Sequence, residues 1–392
     1  MGVGVNIAIC EGSRVIGTNP FLNVVSTKSA SVSTGAHAAH TAGDAASSHS
    51  TLPGVASGAS IYSACTGSYD DDDIIDALDW AIGESVRIIN CSFGFDTDLE
   101  LDALDRYFDY VVRNCWVSIT KSAGNRGGSD GDVTSPGLAW NVITVGGIND
   151  GGNSAWSDDT MYGSSSFGDP TSTYGDRQKP EVCAVGQSVK STTTSSPWVQ
   201  SGSGGNGTSY AAPMVAGAVA LVVQRNPTLA YWPEVVKALM MAGASHNIEG
   251  AQRLSDQDGA GAIDADRIDQ MVTSGWYDGY QIESGDFNSS GDFSISISGV
   301  TTGQRIKAAI CWDSRPIKIT IFGFTFYFDI LAADFDLKLY ASDGSYVTGS
   351  YSWDNSFEVI DVTATQTGTY SLRIHKYRMD SDWEWLGVAW QR

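Results

Sequence analysis

The chain has 392 residues, with 45 acidic against 23 basic side chains and a formal net charge of −22 at neutral pH. So acidic a surface repels phosphate backbones and anionic lipid, which excludes nucleic acid and the membrane surface as expected partners. Charged residues are only 17% and apolar ones 42%, a composition that folds, and the length allows one large domain of roughly 250–300 residues plus a smaller one.

In chain order, Val5 to Ile9 reads as a strand, Ala36 to Ser47 as a small-residue helix and Ala59 to Ala64 as a second strand. Asp72 to Glu84 is an amphipathic helix, Val86 to Ser92 a strand, Leu99 to Asn114 a helix, and Trp116 to Lys121 and Asn141 to Gly146 two more strands. This alternation predicts an α/β fold whose mainly parallel sheet is covered by helices on both faces, with a site beyond the carboxyl ends of its strands. A long apolar helix continues past Pro213 to about Gln224, and another spans Pro233 to Gly243. From Asp286 the texture changes to period two (Phe293, Ile295, Ile297; Ile306, Ala308, Ile310; Leu337, Leu339), the pattern of an antiparallel β-sandwich. The expected domains are therefore 1–280 and 281–392.

No apolar run approaches the roughly 18 residues of a membrane span. No signal peptide is present, and the six cysteines form no CxxC pair, so zinc-ribbon and thioredoxin-type readings fail while compartment stays open. Several cysteines sit in strand-like runs, where they read as small buried hydrophobes.

The strongest local signal is Asn206-Gly207-Thr208-Ser209-Tyr210-Ala211-Ala212-Pro213-Met214-Val215-Ala216-Gly217. A glycine-rich approach delivers a hydroxyl to the first turn of a helix, whose N–H groups and dipole stabilise negative charge developing near Ser209. Pro213 is expected in that first turn, where a missing N–H costs nothing. By itself the segment also fits a plain helix cap at Thr208 or Ser209.

Together with three other segments, it resembles the subtilisin-like serine proteases, in the family's chain order. His37-Ala38-Ala39-His40-Thr41-Ala42-Gly43 is similar to the family's histidine helix, Ser92-Phe93-Gly94 to its substrate-pairing strand, and Ala123-Gly124-Asn125 to its oxyanion segment. The resemblance implies Ser209 as nucleophile, His37 as general base and Asn125 as oxyanion donor. It also implies a substrate cleft walled by Ser92, Phe93 and Gly94 on one side and Ser122, Ala123 and Gly124 on the other. The chemistry suits these residue types. A serine hydroxyl needs a base to take its proton, histidine titrates near neutral pH, and a developing oxyanion needs aimed donors.

The third member departs from the family. The strand that would end in the catalytic aspartate ends here in Glu11, a carboxylate one methylene longer that can still orient an imidazole. Asp44, seven residues beyond His37 and two helical turns away, is the other candidate and is expected out of reach. His37 and His40, three residues apart on one helical face, offer a metal set with Asp44 or His49, but the glutamate of a His-Glu-x-x-His site is missing and the spacing differs, so His40 is expected as a packed neighbour. No metal ligands are assigned.

The C-terminal segment resembles the jelly-roll domain that follows the catalytic domain in one branch of these proteases. Asp334 and Asp336 share one face of a strand there, where structural calcium is conceivable. The leading expectation is a serine endopeptidase hydrolysing peptide bonds through an acyl-enzyme, with no cofactor needed for the chemistry. A catalytically inactive peptide-binding protein of the same fold is the first alternative, and an esterase or acyl transferase using the same triad is the second. A polypeptide partner, a monomer and, from the resemblance, secretion complete the expectation.

Overall fold

Short runs of fully buried aliphatic residues build the central sheet. A computed structural model describes residues 1–250 and 254–392. The sheet comprises β1 (Asn6–Glu11), β2 (Val24–Thr27), β3 (Ser60–Cys65), β4 (Ile88–Cys91), β5 (Ser118–Ser122), β6 (Ile143–Asn149), β7 (Thr160–Met161) and β8 (Val182–Val185). Its order is β2-β3-β1-β4-β5-β6-β7, with β8 also on β6, and every pairing is parallel except β6 with β7. The helices are α1 (Ala36–Ala46), α2 (Asp71–Gly83), α3 (Ala103–Cys115), α4 (Thr208–Arg225), α5 (Pro233–Gly243) and α6 (Ala265–Ser274). The five strands expected in the first 150 residues all form, and the carboxyl ends of β1, β4 and β5 lie side by side.

Helix α4 is buried along most of its length because small residues let it approach its neighbours. A Cβ on Gly217 would stand 2.7 Å from Val55 and 3.1 Å from the Ala45 carbonyl of α1, so this contact requires glycine. Helix α6 escaped the sequence reading, although Asp264 accepts from the Arg267 N–H at 3.0 Å and Gly275 closes the helix with φ +67°. All six cysteines are free thiols, and five of them are buried.

The remainder is a sandwich of two four-stranded antiparallel sheets around one core. Its strands are β9 (Tyr277–Glu283), β10 (Asp292–Val300), β11 (Arg305–Trp312), β12 (Ile317–Ile321), β13 (Phe324–Phe328), β14 (Ala333–Tyr340), β15 (Tyr346–Ser350), β16 (Phe357–Thr363), β17 (Gly368–Met379) and β18 (Trp383–Gln391). One sheet runs β10-β17-β14-β15 and the other β16-β11-β18-β9, while β12 and β13 form a separate hairpin. Strand β9, which spans the expected boundary at 280, pairs with β18 of the sandwich from Tyr277 onward.

The two domains share a core. Ala309, Cys311, Val359 and Ala389, on the outer face of the second sheet, pack with Val235, Leu239 and Met241 of α5. A Cβ on Gly387 would lie 2.3 Å from the Glu234 backbone, so β18 touches α5 directly. The buried Lys307 ammonium donates to the Ala244 carbonyl at 2.6 Å and to that of Ala260, and Arg113 of α3 pairs with the buried Glu384 at 2.5 Å.

Candidate active site

Each candidate residue sits where an element begins or ends. Glu11 closes β1, His37 is the second residue of α1, and Ser209 is the second residue of α4. Glu11 Oε2 lies 3.1 Å from His37 Nδ1. The Glu11 carboxylate is 1% exposed and the His37 ring 40% exposed, so a buried acid holds an imidazole whose other edge is open. Burial pushes the His37 pKa down, but the hydrogen bond and charge of Glu11 outweigh that and leave it above the ordinary histidine value. Tyr69, which the sequence reading missed, donates to the same Oε2 at 3.4 Å, and its pKa is pushed up to about 12 by burial and by the Glu11 charge. Tyr69, Phe93 and Phe95 form an aromatic cluster beside this carboxylate, with ring centroids 5.4–6.4 Å apart.

Asp44 belongs elsewhere. Its Oδ1 lies 3.6 Å from His40 Nε2, and burial raises its pKa well above the usual carboxylate range. His40 is buried, stacks on Tyr210 at 3.9 Å, and is pushed down to about 4 by burial and then by His37. It is the packed neighbour expected. His49 caps the turn at Thr51 and Leu52, and although His40 and Asp44 meet, the alternative metal set makes no three-ligand group among the described residues.

Ser209 and Ser92 exchange two hydrogen bonds. Ser209 Oγ donates to the Ser92 carbonyl at 3.2 Å, and Ser92 Oγ donates to the Ser209 carbonyl at 2.8 Å. The second bond has a sequence cause that corrects the expected place of Pro213. That proline is the sixth residue of α4, inside the helix rather than in its first turn, so it removes the N–H that would bond the Ser209 carbonyl four residues earlier. Ser92 fills the gap. Among the described residues, the Ser209 hydroxyl is held by Ser92 and not by His37.

Asn125 stands on the other side. Its Oδ1 accepts from the Thr208 N–H at 2.9 Å, and its Nδ2 would lie 3.5 Å from a Cβ on Gly207, the residue preceding α4. Thr208 is fully buried and exchanges hydrogen bonds with the Gly124 N–H and carbonyl at 3.1 Å, which ties the β5 loop to the start of α4. Ser92, Phe93 and Gly94 follow β4, and Ser122, Ala123 and Gly124 follow β5 or end it, so the two expected walls are neighbours. Between them lies a residue the sequence reading passed over. The ammonium of Lys121 is fully buried, donates to the Ser122 carbonyl at 2.5 Å and to Ser122 Oγ at 3.2 Å, and would lie 3.2 Å from a Cβ on Gly94. Burial lowers its pKa to about 8.

The expected calcium carboxylates do not form a three-ligand group. Asp334 is buried, with its pKa raised to about 7 by burial and then by Asp336, while Asp336 has the Lys338 ammonium 3.7 Å away. Among the described residues, the grouping of three potential ligands is the largely exposed trio Asp96, Asp98 and Asp132.

A family model described as Peptidase S8, the subtilase family, matches residues 16–261, beginning beyond Glu11. Serine protease AprX of Bacillus subtilis is 30% identical over 311 residues, covering 68% of this chain and 66% of AprX. Subtilisin E of the same organism is 33% identical over 202 residues, covering 49% of this chain and 46% of its own length. The chain thus spans slightly under two thirds of one relative and under half of the other. Among solved structures, the patellamide maturation protease PatA has the same fold, with a TM-score of 0.55 at 20% identity over 69% of this chain and 98% of that one.

Proposed function

The chain belongs to the subtilase family, and from that premise we propose that it is a serine endopeptidase working through a Ser209–His37–Glu11 triad. The observation that carries the proposal is the 3.1 Å contact between the buried Glu11 carboxylate and His37 Nδ1, which leaves Nε2 as the imidazole's working nitrogen. An extended polypeptide pairs with Ser92, Phe93 and Gly94, and its N–H takes the Ser92 carbonyl that otherwise holds Ser209 Oγ. The freed hydroxyl turns about one single bond toward His37, a fast motion, and passes its proton to Nε2 as Oγ attacks the scissile carbonyl.

The tetrahedral oxyanion is met by Asn125 Nδ2 and the Ser209 N–H at the positive end of α4. His37 then returns the proton to the leaving amine, and water cleaves the acyl-enzyme by the same steps in reverse. An extracellular location follows from the resemblance to the family, and the acidic surface suits a soluble secreted enzyme.

The test is active-site labelling. Stoichiometric reaction with a fluorophosphonate probe that disappears in Ser209→Ala supports the proposal. A folded wild type that takes no label overturns it, as does a labelled enzyme that cleaves esters but no peptide in a library.

A further inference from the structure

The hairpin of β12 and β13 carries six large apolar side chains on one face and leaves them in solvent. Cross-strand pairing sets Ile317 opposite Phe328, Ile319 opposite Phe326 and Ile321 opposite Phe324, so all six point the same way. They are 39–70% exposed. The other face is seated. Tyr327 packs against Tyr107 and Tyr110 of α3 with ring centroids at 5.3 Å, and Lys318 lies over Tyr110 and Tyr327 at 5.8 Å. The hairpin is therefore fixed to the first domain with its apolar face turned outward. Its turn, Phe322 (φ +51°) and Gly323 (φ +85°), is the tight two-residue type that matches strand twist.

At about 200 Å² per large apolar residue, the six side chains expose roughly 600 Å². That is the upper limit of the apolar patch an ordinary monomer shows to water. We propose that this face is a homodimer interface occupied by the same face of a second copy.

Two features select a second copy. The face is self-complementary: one strand offers only isoleucine and the other only phenylalanine. A twofold axis through its centre lays each aliphatic row on the partner's aromatic row, a favourable pairing of branched and flat side chains. The area also suffices, since covering the face on both copies removes roughly 1,200 Å², the threshold of a stable interface. A bilayer fits less well, because the apolar residues line the whole hairpin and the chain carries −22. A dimer differs from the monomer expected from the sequence. Two copies repel through that charge, so association strengthens as salt screens it.

Sedimentation velocity on the full chain, over a concentration series at low and high NaCl, tests the proposal. The expected result is a reversible dimer whose Kd falls as salt rises and increases at least about tenfold in Ile319→Ser/Phe326→Ser, with the melting temperature and probe labelling unchanged. Ile319 and Phe326 are exposed, so the double variant folds. A wild type that stays monomeric at every concentration and salt overturns the proposal. So does a dimer that survives the double variant, or a monomer that binds zwitterionic vesicles through the same face.

Discussion

Ser92 and Ser209 hold each other by two hydrogen bonds, 2.8 and 3.2 Å long, across the gap between the end of β4 and the start of α4. The shorter one substitutes for a helical bond that Pro213 cannot make. Ser92→Ala leaves the Ser209 carbonyl unsatisfied and is expected to cost about 1 kcal/mol, seen as a drop of about 1 °C in Tm for a cooperative body of this size. Adding Pro213→Ala restores an N–H to that carbonyl, so the double variant recovers most of the loss. A double variant no more stable than Ser92→Ala shows that the two positions are not coupled.

Glu11→Gln keeps the size of the side chain but removes the charge that orients the imidazole. We expect kcat to fall by about 10⁴, the cost of leaving a triad histidine in the wrong tautomer. Asp44→Asn is expected to change kcat less than about threefold, because Asp44 faces His40 and not His37. The reverse ranking in steady-state kinetics moves the orienting role to Asp44.

The raised His37 pKa sets a pH profile. A general base must be neutral, so kcat/KM rises with pH through a midpoint above the ordinary histidine value of about 6.5. Glu11→Gln removes the interaction that raises the pKa and moves the residual acid limb to lower pH. Stability runs the other way. A group whose folded pKa is raised contributes fully below its unfolded pKa, and that contribution is lost as pH rises through the folded value. The pH range that switches the base on therefore withdraws the stabilisation of its ion pair. An acid limb that stays put in Glu11→Gln contradicts this account.

Asn125→Ala tests the oxyanion donor. Loss of one such donor costs about 10²–10³ in kcat with KM little changed. The Oδ1 bond to the Thr208 N–H disappears as well, so a modest drop in Tm accompanies it. A rise in KM at constant kcat points instead to a substrate-positioning role.

Much of this arrangement is legible in the sequence because it is local. Ser209, His37 and Asn125 each lie in a short contiguous segment that resembles the family's, and Glu11 ends the strand that matches the family's aspartate strand, whereas local periodicity alone would leave Ser209 as a plain helix cap. What is hidden depends on distant parts meeting. Tyr69 reaches Glu11 from a loop 58 residues away, and the Ser92–Ser209 exchange spans 117 residues. The tolerance of Pro213 inside α4 is hidden as well, because the group that replaces its missing N–H, Ser92 Oγ, comes from the end of β4. Lys121 reads as an ordinary polar end to a strand until its ammonium is found beneath Gly94. The β12–β13 face stays hidden for a simpler reason: alternating apolar residues signal a buried face, and here that face is in water.

The core shared by α5 and the second sandwich sheet makes the C-terminal domain part of the first domain's interior. Cutting the chain before Tyr277 would bare Val235, Leu239 and Met241, and leave the Ala244 and Ala260 carbonyls without Lys307. The sandwich thus does for the first domain what a further layer of its own helices would do, keeping water from the outer side of α5.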